Sequence, residues 1–99
     1  MRLTEQQIQV FKSTAHAVLG EGAQVTLFGS RVDDAKKGGD IDLLFTAPAN
    51  IDNPAQTVGR IYAQLVRQLG DQKIDILLKA PNLQPQSIHT LAEQSGIQL

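Results

Sequence analysis

Three aspartates stand inside or beside otherwise apolar runs. Asp40 and Asp42 open the stretch Asp40-Ile41-Asp42-Leu43-Leu44-Phe45, and Asp75 lies between Ile74 and Ile76. Successive side chains of a strand point to opposite faces, so Asp40 and Asp42 project together while Ile41 points the other way. An ionised Asp75 between two isoleucines is expected to cost several kcal/mol unless a cation or hydrogen-bond donors answer it. A third strand that brings Asp75 to the face of Asp40 and Asp42 makes three carboxylates converge with no histidine or cysteine among them. The cation that suits such an all-oxygen ligand set is Mg²⁺. Taken alone, Asp40-Ile41-Asp42 reads as a solvated strand entrance, and Asp75 is equally well explained by an ion pair with Arg31, Lys73 or Lys79.

Gly29-Ser30 adds a second kind of chemistry. A glycine directly after a strand lets the backbone approach a phosphate, and a serine hydroxyl with exposed N–H groups can bind its oxygens. As a dipeptide it marks an ordinary turn. Its order tips the reading: a strand, Gly29-Ser30, nine intervening residues, Asp40-Ile41-Asp42 opening a second strand, then Asp75 in a third. Arg31 follows Ser30 and is placed to screen phosphate charge. Lys36 and Lys37 read as a solvated loop.

The elements that must position these groups are legible in the hydrophobic period. Thr4 with Gln7 has the form of a capping box, and Ile8, Phe11, Ala15, Val18 and Leu19 recur at helical spacing up to Gly20. Gln24 to Phe28 alternates as a first strand, and Ile41 to Thr46 reads as a second, stopped by Pro48. Asn53 and Pro54 suit the N-cap and first position of a helix carried by Val58, Ile61, Tyr62, Leu65, Val66 and Leu69. Lys73 to Lys79 is a third strand. A last helix is expected to start near Pro85 and to pack through Ile88, Leu91 and Ala92 before Gly96. Tyr62 is assigned to the core, and His16 and His89, without ligand partners at useful spacing, to structural roles. Ile97 and Leu99 suit either a sheet cover or an interface. The expected architecture is α/β (α+β) in the order α-β-β-α-β-α, a small three-stranded mixed sheet with its helices packed on one face.

Composition bounds the function. Ninety-nine residues predict one domain, 1–99, that buries roughly 65% of its unfolded surface and offers an open groove rather than an enclosed site. Nine Lys and Arg against ten Asp and Glu give a net charge of -1, which argues against general nucleic-acid binding through phosphate neutralisation. The absence of cysteine excludes disulfides, thiolate zinc sites and cysteine nucleophiles. No stretch has the apolar length of a membrane span, and Met1-Arg2-Leu3-Thr4-Glu5 lacks the apolar run of a signal peptide, so a cytoplasmic protein is expected.

Leu27-Phe28-Gly29-Ser30-Arg31 and Gly38-Gly39-Asp40-Ile41-Asp42-Leu43-Leu44 together resemble the signature of the minimal nucleotidyltransferases, the smallest members of the DNA polymerase beta-like nucleotidyltransferase superfamily. The resemblance covers nearly the whole chain. It implies that Gly29 and Ser30 hold the nucleotide's triphosphate, beside which Arg31 is placed to bind nucleotide, and that Asp40, Asp42 and Asp75 are the catalytic and metal-ligating carboxylates. It further implies two Mg²⁺ ions serving an in-line displacement at the α-phosphorus, with Asp75 as base or as ligand of the hydroxyl-side metal. Many relatives carry serine before the first aspartate, where this chain has Gly39.

Proteins of this kind often resemble the antitoxin of a two-protein module whose partner is a small helical HEPN toxin. The implied reaction is transfer of AMP from ATP to a hydroxyl, in the first instance a tyrosine, of that partner. Two alternatives stand beside it. One is a partner-binding module without catalysis, and the other is adenylyl transfer to a small molecule held by a separate subunit.

Overall fold

A computed structural model describes residues 3–29, 40–84 and 87–99. The sequence expectations at Ser30, Arg31, Lys36, Lys37, Gly38, Gly39 and Pro85 lie outside the described residues, as does the packing of the Ile88 side chain.

Helix α1, Glu5–Leu19, starts where its capping signal places it. Gln7 N–H donates to Thr4 Oγ1 at 3.1 Å, and Thr4 N–H donates to Gln7 Oε1 at 2.9 Å, which satisfies two otherwise orphaned donors. Strand β1, Gln24–Phe28, and strand β2, Ile41–Thr46, pair antiparallel. Helix α2, Pro54–Leu69, is capped by Asn53, whose Oδ1 accepts from Gln56 N–H at 3.1 Å. It leads to strand β3, Ile74–Lys79, which lies parallel to β2. Helix α3, Ser87–Ser95, follows, and the chain then forms a short strand β4, Ile97–Gln98, antiparallel to β1.

The sheet is therefore mixed, as expected, but it has four strands in the order β3-β2-β1-β4 where three were predicted. The added strand resolves the role of the chain's last apolar residues. Ile97 pairs with Leu27, Leu99 N–H donates to Val25 O at 2.8 Å, and Leu99 packs against the core.

Alternation sorts the strand residues onto two faces. Val25, Leu27, Ile41, Leu43, Phe45, Ile74 and Leu78 are buried beneath α1 and α2 with Phe11, Ala15, Ile61 and Leu65. The helices do not all share that face, which corrects the one-sided expectation. Helix α3 lies on the other one, against β1, beside the buried Leu44. It can approach this closely because residue 96 is glycine: a Cβ there would fall 2.6 Å from Thr26 Cγ2 and 2.8 Å from the Leu27 carbonyl oxygen. Lys79 Nζ donates to Glu93 Oε1 at 2.6 Å and ties the far end of β3 to α3.

Two side-chain expectations change. Leu91 is 63% exposed, while its neighbour Ala92 is buried. Tyr62 is 40% exposed, because the buried stripe of α2 is centred on Ile61 and Leu65 and leaves position 62 at its border. His16 is exposed in the last turn of α1, whereas His89 is buried on α3.

Thr14 is fully buried on α1, and its hydroxyl has no hydrogen-bond partner among the described residues. Thr14→Val replaces the hydroxyl with a methyl of similar shape and removes that desolvation penalty. The variant is expected to be more stable by about 1 kcal/mol, read as a higher urea midpoint at unchanged slope.

Candidate active site

The register brings residues from three strands into one row. Phe28 of β1 stands opposite Asp42 of β2, and Asp42 stands opposite Asp75 of β3. All three belong to the sheet face turned away from α1 and α2. The parallel pairing of β2 with β3 places the two aspartates side by side although 33 positions separate them in the chain. Asp42 is half-buried and Asp75 is exposed at the sheet edge.

The exposure of Asp75 corrects one premise of the sequence reading. Ile74 and Ile76 point to the helix-covered face and do not enclose the carboxylate between them, so the desolvation cost assigned to Asp75 is not incurred there. It falls on Asp42. Burial raises the affinity of Asp42 for its proton above the usual carboxylate range. The negative charge of Asp75 and a hydrogen bond from the protonated Asp42 carboxyl to Asp75 add to this, and the charge of Asp40 contributes least.

Gly29 completes the near wall. It follows β1 with φ +79°, in the left-handed region that favours glycine, and a Cβ at this position would collide with Asp42 Oδ2. The backbone therefore approaches the Asp42 carboxylate more closely than any other residue type would allow.

Asp40 sits just before β2, and Lys73 sits just before β3. Ile41 N–H donates to the Lys73 carbonyl at 3.1 Å, and Lys73 Nζ lies 3.5 Å from Asp40 Oδ2. Sequence reasoning weighed Lys73 only as a counter-ion for Asp75. The parallel register that seats it on Asp40 is a tertiary fact, and the local pattern does not encode it. The predicted trio thus divides into a carboxylate pair, Asp42 with Asp75, and an ion pair, Asp40 with Lys73. Among the described residues, no three acidic, histidine or cysteine side chains form a group that could hold a metal ion by themselves.

A hard divalent cation still suits the pair. Mg²⁺ is commonly bound through one or two carboxylates, with substrate phosphates and water completing its shell. Asp42 and Asp75, side by side on neighbouring strands, supply the two carboxylates of such a set.

The proton affinity of Asp42 has a consequence for stability. Its folded pKa lies above its unfolded value near 3.8, so its contribution is fully present below that value and is lost as pH rises through the folded pKa. Asp42→Asn is therefore expected to match wild-type stability at pH 3 and to exceed it increasingly as pH rises past the ordinary carboxylate range. Urea titrations at a series of pH values, without divalent metal, read this directly. A stability gap that stays constant with pH would contradict the raised affinity.

Compared with protein-family models and with curated proteins, the chain matches none. No helix among the described residues is long and apolar enough to cross a membrane.

Proposed function

We propose that the chain is a Mg²⁺-dependent nucleotidyltransferase that moves AMP from ATP to a hydroxyl of a small helical HEPN-type partner, and so neutralises that partner. The observation that carries this reading is the row across the strands: Asp42 directly opposite Asp75, with the Gly29 backbone against the Asp42 carboxylate. The order of Gly29-Ser30, Asp40-Ile41-Asp42 and Asp75 in the sequence supports it by resemblance.

In this account Asp42 and Asp75 would hold the metal, and Asp40 would join them once released from Lys73. The metal would supply charge neutralisation of the triphosphate and of the departing pyrophosphate. Gly29, followed by Ser30 and Arg31, receives the phosphates at the end of β1. Asp75, exposed at the edge, is the carboxylate that an incoming hydroxyl can reach, where it orients that group and accepts its proton.

One observation favours a second reading, in which the chain acts by binding alone: Asp40 is engaged by Lys73 and does not complete a trio with the other two carboxylates. Calorimetric titration with ATP separates the two. The transferase reading expects ATP binding that requires Mg²⁺ and is lost in Asp42→Asn, while a pure binding module ignores the nucleotide whether or not metal is present.

A further inference from the structure

Of the residues around the carboxylate row, Lys73 has the most specific placement without an assigned task. The parallel pairing of β2 with β3 sets Ile41 against Ile74, and the Ile41 N–H bond to the Lys73 carbonyl extends that ladder by one residue. Asp40 and Lys73 are therefore neighbours by construction of the sheet, and Nζ rests 3.5 Å from Oδ2. The contact is loose: the two side chains are 75% and 46% exposed, so water competes for both and the ammonium can leave at little cost. The other lysine of the same strand region, Lys79, is held by Glu93 at the opposite end of β3 and does not serve this cluster.

We propose that Lys73 is the resident counter-cation of Asp40, and that a divalent cation entering the carboxylate row displaces its ammonium from that carboxylate. The proposal rests on the metal-dependent reading given above and adds to it a built-in competitor that sets how readily the metal enters. A divalent cation held by Asp40 would lie close to the ammonium if Lys73 stayed in place, since Nζ rests 3.5 Å from Oδ2. A unit charge facing a dication at that range is repelled strongly enough to alter affinity severalfold even in a largely aqueous surrounding, and salt weakens the effect. The long, flexible lysine stem lets the head swing into solvent. With no metal, the same ammonium partly neutralises Asp40.

The experiment is Mn²⁺ titration of the full chain, without nucleotide, read by electron paramagnetic resonance of the free ion. Wild type is compared with Lys73→Met, Lys73→Arg and Asp42→Asn at low and high ionic strength. Lys73→Met is expected to bind Mn²⁺ about three- to tenfold more tightly than wild type at low salt, with the gap narrowing at high salt. Lys73→Arg, which keeps the charge, is expected to stay close to wild type. Equal or weaker binding by Lys73→Met, while Asp42→Asn abolishes binding, would overturn the role of Lys73 and leave the metal site standing. Tightening in Lys73→Arg equal to that in Lys73→Met would also overturn it, since charge would then not be the cause. If wild type binds Mn²⁺ no better than Asp42→Asn, the metal reading fails and this proposal falls with it. Residue 73 is largely exposed, so both lysine variants are expected to fold, as thermal melts would verify.

Discussion

Asp42→Asn is expected to abolish nucleotidyl transfer while leaving the fold intact and, above the ordinary carboxylate range of pH, more stable than wild type. The substitution is nearly isosteric, so the row Phe28, Asp42, Asp75 keeps its packing. What changes is charge. An amide cannot supply the anionic oxygen that a hard cation requires, and it carries no charge to be penalised by burial or repelled by Asp75, the effects that raise the proton affinity of Asp42. Residues that only support a metal ligand typically cost 10- to 100-fold when lost, so removal of a ligand itself is expected to cost more than about 100-fold in transfer rate. Opposite signs for activity and stability mark a group held at a thermodynamic cost for its function. A variant that loses stability together with activity would instead point to a structural aspartate. Initial rates of pyrophosphate release, paired with urea titrations of the same preparation, read both quantities.

Gly29→Ala is expected to damage the fold and the site together. The backbone at this position has φ +79°, where an L side chain costs about 1 kcal/mol or more, and the added methyl collides with Asp42 Oδ2. Relief requires either rotation of the Asp42 carboxylate or displacement of the end of β1, and crowding of this kind usually costs a further 1–3 kcal/mol. A total loss of about 2–4 kcal/mol is therefore expected, together with loss of Mn²⁺ binding, because the obstructed carboxylate is the one that faces Asp75. Gly59→Ala is the matched control. A Cβ at Gly59 meets nothing within 4 Å, and the residue sits within α2, so alanine there is expected to raise stability by up to about 1 kcal/mol. Equal behaviour of the two variants would contradict the special role of the Gly29 backbone.

The features that sequence reasoning located well are those whose cause is local. The capping pair Thr4 and Gln7 and the Asn53-Pro54 start of α2 depend on contacts three or four residues long, and both helices begin where these signals place them. The limits of β1 and β2 follow from alternation bounded by glycine and proline. Strand β4 was missed because Ile97–Gln98 is too short to show a period, and only its pairing with Leu27 and Thr26 makes it a strand. The position of α3 was missed for a related reason. No local pattern says which face of a sheet a nine-residue helix will cover, and the decisive residue, Gly96, reads in sequence as a simple stop.

The candidate site divides along the same line. Asp42 and Asp75 were singled out as aspartates within apolar strands, and the register places them opposite each other. Their environments were not legible. The apolar neighbours of a strand residue point to the other face, so Ile74 and Ile76 say nothing about the burial of Asp75, which the edge position of β3 decides instead. The engagement of Asp40 by Lys73 likewise depends on β2 and β3 running parallel, which follows from the crossover through α2 rather than from either strand alone.

The central claim is that this chain transfers AMP with the help of the carboxylate row, and intact-mass spectrometry tests it most directly. Wild type and Asp42→Asn are each incubated with ATP, Mg²⁺ and the candidate helical partner, and the masses of both proteins are read before and after. The account predicts a gain of whole AMP units on the partner with wild type, none with Asp42→Asn, and none when Mg²⁺ is withheld. Unchanged masses accompanied by undiminished inhibition of the partner, alike in wild type and Asp42→Asn, would contradict it and leave binding alone as the function of the chain.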